Sequence, residues 1–360
     1  MASLKIEETN WAFVLTFVLM SSAAATGCGS RKAALASAPN EIASTNGFRA
    51  RPLTNITFER TPARLERGRY LVEGPLGCFV CHGERDWNAL GAPPLADRKG
   101  SGRVLEGVMI NGVAAGGRRV PPNITPDPET GAGNWTDDMF ARAIREGIGH
   151  DGRALAVMPW RRFRNLSDED LASVISYVRS IPAIRNVLPE RILTEEQSQR
   201  LNPEPLSQPV PEPDLSTPAR RGQYLVTLAG CAGCHTPRRG IEPITGLEFS
   251  GGNVFNGKLG EAASANITPD PSGISYYDES LFIQSIRSGR VKARKLSAFM
   301  PWVFFRNMTD EDLKGVFAYL RTLKPVHHLV DNTEPPAYCE LCGHKHGFGE
   351  RNQRDGPENP

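Results

Sequence analysis

Three blocks of sequence occur twice in this chain, in the same order, and no other feature limits its fold as strongly. "RGRYLVEGPLGCFVCH" (67–82) returns as "RGQYLVTLAGCAGCH" (221–235), and "NITPDPETG" (123–131) returns as "NITPDPSG" (266–273). "MPWRRFRNLSDEDLASVISYVRSIP" (158–182) returns as "MPWVFFRNMTDEDLKGVFAYLRTLKP" (300–325). Ordered recurrence of this kind marks a duplicated domain. A length of 360 residues agrees with two or three domains.

The repeats set the boundaries of the expected organisation: a first domain over 58–185, a second over 218–326, a proline-rich linker at 186–217, and a tail at 327–360. The prolines of "LNPEPLSQPVPEPDLSTP" (201–218) favour an extended, semi-rigid spacer. Inside each copy the pattern is helical. Ser167 with Asp170, and Thr309 with Asp312, read as helix starts with a hydroxyl cap and a carboxylate three residues on. Leu171, Val174, Ile175 and Val178 then form an apolar stripe, as do Leu313, Val316, Phe317 and Leu320, and Pro182 and Pro325 end the two helices. Further helices are expected from Thr136 to Glu146 and from Asp278 to Ser288. No long alternating strand pattern is present. The fold class is therefore mainly α, with many turns supplied by 35 glycines and 29 prolines.

Each copy contains Cys-x-x-Cys-His, the covalent attachment sequence for haem c. On one helical turn, cysteines three apart present both sulfurs to the vinyl groups along one porphyrin edge, and the next residue projects toward the iron. Cys78, Cys81 and His82 satisfy this, as do Cys231, Cys234 and His235. A thioredoxin-like redox pair or half a zinc site are the alternatives. Met158 and Met300 open matching Met-Pro-Trp segments and are candidate sixth ligands to the two irons; packing into the core is the alternative role for a methionine. The expected cofactors are thus two covalently attached haem c groups, with His82/Met158 and His235/Met300 as iron ligands.

On these motifs the chain resembles the class I c-type cytochromes, and within them the multihaem cytochrome subunits of periplasmic alcohol and gluconate dehydrogenases. The shared segments are RGxYLV…CxxCH, NITPD, "WTDDMFARAIREG…DGRAL…MPW" and the capped terminal helix, covering about residues 60–325. The resemblance implies two tandem class I cytochrome c domains, each with its first helix crossing its last. It also implies close approach of Gly68 to Tyr177 and of Gly222 to Tyr319. Arg145 and Arg287, in register, are expected either to pair with haem propionates or to sit as solvated helix arginines.

The seventh cysteine, Cys28, follows the apolar run Trp11–Met20, which is too short to span a bilayer and reads as the core of a secretory signal. Ala25-Thr26-Gly27-Cys28 resembles a bacterial lipoprotein signal; a plain signal peptide is the alternative. Residues 1–28 are therefore expected to direct export, 29–57 to form a tether, and the protein to lie on the periplasmic side of a bacterial membrane through a lipid at Cys28.

The tail carries a third pair, Cys339-Glu-Leu-Cys342-Gly-His344, in which Gly343 displaces the histidine. One extra residue on a helix rotates it by about 100°, so no third haem is expected. In an oxidising compartment a Cys339–Cys342 disulfide is the favoured expectation. A Cys₂His₂ zinc site using His344, His346 or His327 is the alternative.

A net charge of +2 gives no argument for nucleic acid. With both irons six-coordinate, the expected function is electron transfer between a periplasmic dehydrogenase or quinol-linked donor and another cytochrome or an oxidase. The alternative is a dihaem enzyme, a peroxidase or sulfur-compound dehydrogenase, with one displaceable ligand; His150 lies near Met158 in sequence for such a role.

Overall fold

A computed structural model describes residues 50–353 apart from 106, 115, 200 and 201. The expected signal segment, Cys28 and most of the tether lie outside the described residues.

Two helix pairs dominate the fold. Helix α1 (Pro62–Glu73) begins at Thr61, whose hydroxyl accepts from Arg64 N–H, with proline at the first helical turn. The attachment segment forms α2 (Cys78–His82). Then follow α3 (Asp137–Glu146), α4 (Trp160–Phe163), α5 (Asp168–Val178) and the short α6 (Glu195–Gln199). The second copy repeats the order in α7 (Pro218–Ala229), α8 (Cys231–His235), α9 (Glu279–Ser288), α10 (Trp302–Phe305) and α11 (Asp310–Thr322). The helices expected from Thr136 and Asp278 start one residue later, because those residues are the caps, accepting from Met139 N–H and Leu281 N–H.

Within each copy the first helix crosses the last at very short range. A methyl group placed on Gly68 would lie 2.0 Å from Ser173 O and 2.6 Å from Tyr177 Cβ; on Gly222 it would lie 1.9 Å from Gly315 O and 2.9 Å from Tyr319 Cβ. Only a residue without Cβ allows the backbones this close, as the resemblance implied for both tyrosines.

The capping of α5 and α11 departs from the sequence pattern. Ser167 and Thr309 accept from the N–H groups of Asp170 and Asp312, but neither carboxylate returns to the cap backbone. Asp170 instead receives Arg67 at 2.7 Å and Tyr224 at 2.8 Å, while Ser167 N–H donates to Tyr224 Oη at 3.2 Å. The other copy reciprocates: Asp312 receives Arg221 at 3.0 Å and the Tyr70 hydroxyl. Tyr70 and Tyr224 thus exchange places across the two copies, which are joined by an approximate two-fold relationship.

The apolar core follows the same exchange. Leu71, Phe79, Ile144, Phe163 and Val174 pack in one cluster with Trp302, Val303 and Phe304 of the second copy. A second cluster, built on Leu225, Phe282, Leu313 and Val316, takes Tyr70 at its edge. Each large side chain buried in this way contributes about 1.5–3 kcal/mol. Loops add a small sheet in which 109–110 of the first copy pairs antiparallel with 254–257 of the second. The segment between the copies is fastened to the first: Arg164 donates to Glu204 O at 2.6 Å and Pro205 O at 2.9 Å, and Asp168 N–H to Val210 O at 3.0 Å.

Candidate functional site

The first attachment segment faces a cavity of about 490 Å³ whose lining includes Cys78, Cys81, His82 and Met158. Its wall is largely apolar, with Ile124, Trp135, Phe140, Ile144, Phe163 and Val174 among the lining residues. Three elements place these candidate groups. Gly77, at φ 57°, turns the chain into α2 and sets both thiols on one helical turn. The loop before Asn123 offers Pro122 O to His82 Nδ1 at 2.9 Å. With that nitrogen bonded to a carbonyl, His82 carries its proton on Nδ1 and has Nε2 as a lone pair for a metal. The third element is the turn at Met158. Trp160 N–H returns to Met158 O at 2.8 Å across Pro159, an inverse γ-turn, and the buried Trp160 anchors it.

The second copy reproduces each placement. His235 Nδ1 bonds Ala265 O at 2.7 Å, the carbonyl just before Asn266 as Pro122 is just before Asn123. Trp302 N–H returns to Met300 O at 2.8 Å. Cys231 and Met300 pack against one apolar cluster, as Cys78 and Met158 pack against the other. The second site is more open at its attachment segment, where Cys234 is exposed.

Burial depresses the basicity of His82 and His235, so both imidazoles stay neutral, the form that ligates iron. Burial also pushes the Cys78 and Cys231 thiols up to about 12, unlike the depressed thiol of a reactive redox pair. Two thiols on one turn, a neutral imidazole with a free Nε2, a thioether and an apolar wall form a set that fits haem c.

Other expected site residues fall elsewhere. Arg145 is buried and bonds Asp168 at 2.5 Å, and Arg287 bonds Asp310 at 2.5 Å. Both tie the middle helix to the start of the last one, Arg145 from a buried position and Arg287 from a half-exposed one. The physical reason is the negative charge at the first turn of α5 and α11, which attracts the nearest guanidinium. His150 stacks on Trp135 at 4.2 Å and lines the first cavity.

Sequence reasoning missed Arg162. Its Nη1 donates to Ala229 O at 2.7 Å and its Nη2 to Leu76 O at 3.5 Å. Each carbonyl stands two residues before the first cysteine of its motif, so one half-buried cation joins the two attachment segments. The signal lay in the repeat, where Arg162 aligns with Phe304 in otherwise matching segments.

In the tail, Cys339 and Cys342 are free and buried, not joined as a disulfide. Both sulfurs lie with His328 and His346 in one group whose ligating atoms are all within 4.8 Å of each other. Of the expected histidines only His346 belongs to it. His344 spends Nε2 on Arg238 O at 2.7 Å, and His327 turns outward to Asp270 at 3.3 Å.

Residues 219–324 match the cytochrome c family model, and the chain carries a cytochrome c domain there. Its relatives include cytochrome subunits of dehydrogenases and a dihaem cytochrome. The chain is 28% identical over 285 residues to the alcohol dehydrogenase (quinone) cytochrome c subunit of Gluconobacter oxydans, covering 73% of this chain and 55% of that protein. It is 27% identical over 271 residues to a diheme cytochrome c-type of Cereibacter sphaeroides, covering 69% and 83%. It is 32% identical over 210 residues to one of the nicotinate dehydrogenase polypeptides of Pseudomonas putida, covering 55% of this chain but 16% of that protein. The chain therefore spans about half the length of the alcohol dehydrogenase cytochrome, and a small part of the nicotinate dehydrogenase polypeptide.

Proposed function

We propose that the chain is an electron-transfer protein with two haem c groups, one in each of two tandem cytochrome c domains at 58–185 and 218–326, joined by 186–217. Cys78 and Cys81 would hold the first haem through thioethers, with His82 and Met158 on its iron; Cys231, Cys234, His235 and Met300 would hold the second. The observation that carries this reading is the first cavity, whose lining brings together both thiols, the imidazole and the thioether of residues far apart in sequence.

When bound, haem supplies a one-electron couple. The chain's residues supply the rest. Pro122 O and Ala265 O fix the tautomer and orientation of the two histidines. The apolar wall excludes water, and thioether ligation together with low polarity raises the potential of each centre. Arg119 and Arg191 line the first cavity and supply positive charge for propionates. The direct packing of Phe304 and Trp302 on the first copy's cluster brings the two sites into one molecule without a solvent gap between the copies.

Electrons would enter from a periplasmic dehydrogenase or quinol-linked donor and leave to another cytochrome or an oxidase. The homology to dehydrogenase cytochrome subunits supports this choice of donor. Export and a lipid at Cys28 would hold the carrier at the periplasmic face of the membrane; Cys28→Ser should then release it to the soluble fraction.

Carbon monoxide tests the carrier role against the dihaem-enzyme alternative. Reduced protein with two thioether-ligated irons should leave its spectrum unchanged under carbon monoxide. A carbon-monoxide-shifted spectrum from half the haem would mean a displaceable ligand and support the enzyme.

A further inference from the structure

We infer that His328, Cys339, Cys342 and His346 form a structural zinc site that fastens the tail to the loop behind the second attachment segment. The four side chains come from two places. His328 follows the end of α11, and the other three belong to a hairpin of strands Pro336–Tyr338 and Lys345–Gly347. Gly343, at φ 77°, closes that hairpin, and its N–H returns to Cys339 O at 2.8 Å, which turns both thiols to one side. All four residues are buried, at 0–2 % exposure.

The hydrogen bonding around the imidazoles leaves an unbalanced centre. His328 Nδ1 bonds Ser250 O at 3.0 Å, and His346 Nδ1 bonds Gly347 O at 3.0 Å. A carbonyl only accepts, so each ring carries its proton on Nδ1. The internal repeat gives the same assignment for His328. Its counterpart is Asn186, whose side-chain N–H₂ donates to Ser101 O, the carbonyl equivalent to Ser250 O, at 2.8 Å. Both Nε2 atoms then present lone pairs, each with a cysteine sulfur at 3.4 Å, and they face each other at 3.1 Å inside the protein. Two acceptors at that distance repel unless a cation lies between them.

The spacing suits zinc. Tetrahedral ligation with Zn–N of about 2.0–2.1 Å and Zn–S of about 2.3 Å puts nitrogens about 3.4 Å apart and each sulfur about 3.5 Å from a nitrogen. Here the nitrogens are 3.1 Å apart, and Cys339 Sγ–His328 Nε2 and Cys342 Sγ–His346 Nε2 are each 3.4 Å. On binding, the two thiols release two protons to solvent, and two thiolates with Zn²⁺ make a neutral centre that burial does not penalise as it would a charge. With four protein ligands the site is closed, as structural zinc sites are. Its other end reaches the second attachment segment: Ser250 precedes Gly251, whose N–H donates to His235 O at 2.6 Å.

The test is zinc and iron content by plasma mass spectrometry on full-length haem-loaded protein, purified without reductant or chelator, with thiols counted after denaturation. The expected result is about one zinc per chain and two titratable thiols in the tail. Cys342→Ser and His328→Gln should each weaken zinc binding by more than about 100-fold, beyond the loss on removing an outer-shell partner, while haem content holds. Should a variant fail to accumulate, wild-type protein still decides the matter. Treatment with a strong chelator should expose both tail thiols to maleimide and lower the melting temperature, and added Zn²⁺ should reverse both changes. A Cys339–Cys342 disulfide in the purified protein, or free tail thiols that take up no added Zn²⁺, overturns the assignment.

Discussion

Tyr224 donates its hydroxyl hydrogen to Asp170 at 2.8 Å, although the two residues belong to different copies of the repeat. Tyr70 makes the equivalent bond to Asp312. Each aspartate also holds an arginine of its own copy, so a carboxylate that would otherwise complete a helix cap becomes the junction between copies. Tyr224→Phe should cost about 1.5–3 kcal/mol, the range for a hydrogen bond to a charged group, read from chemical denaturation. The double variant with Tyr70→Phe should depart from the sum, since Arg67 holds Asp170 at 2.7 Å and lies over the Tyr70 ring at 5.5 Å, which gives the two bonds a common neighbour. Losses near zero for both would show that packing alone joins the copies.

Gly222→Ala should be among the most damaging small substitutions in the chain. Its methyl group would lie 1.9 Å from a backbone oxygen of α11, an atom that cannot rotate away, and the helices must separate. A loss of about 3 kcal/mol is expected, at the upper end for overpacking. Arg220→Ala, two residues earlier on the exposed face, should change stability by less than about 1 kcal/mol. Thermal melts of the two variants side by side check the contrast.

Replacing Met158 or Met300 by alanine should remove one thioether ligand and leave its partner site intact. Each single variant should lose about half of the far-red Met–Fe(III) band, gain a high-spin signal and lower one of the two midpoint potentials. Spectra unchanged in both variants would remove these methionines from the iron.

Much of this arrangement is legible in the sequence, because the duplication lets one copy check the other. The attachment motifs, the Met-Pro-Trp turns, the caps at Ser167 and Thr309 and the tight glycines all recur in register, and local chemistry decides each of them. What escapes is set by contacts between copies. Asp170 reads as a capping residue because nothing local shows that Tyr224 will take its carboxylate. His328 is hidden beside His327: which of two adjacent histidines turns inward depends on Ser250 O, far away in sequence. Aligning His328 with Asn186, the residue that bonds the equivalent carbonyl in the first copy, was the signal that could have found it.

Arg162 should tune both centres at once. Its guanidinium bridges the carbonyls preceding the two attachment motifs, and positive charge favours the reduced state of a nearby centre. Arg162→Met should therefore lower both potentials. For a charge about 10 Å away at an effective dielectric of about 20, the Coulomb term is about 1.7 kcal/mol, or on the order of 70 mV for one electron. Redox titration gives the answer, and a shift confined to one centre would contradict the bridging role.

The most direct test of two covalent haems, one in each copy, is the intact mass of the mature protein under denaturing conditions, taken with Cys78→Ser/Cys81→Ser and Cys231→Ser/Cys234→Ser variants. The wild-type chain should retain the mass of two haems, and each double variant the mass of one. A wild-type mass with no haem, one haem or three, or a haem that survives removal of its cysteine pair, would contradict the account.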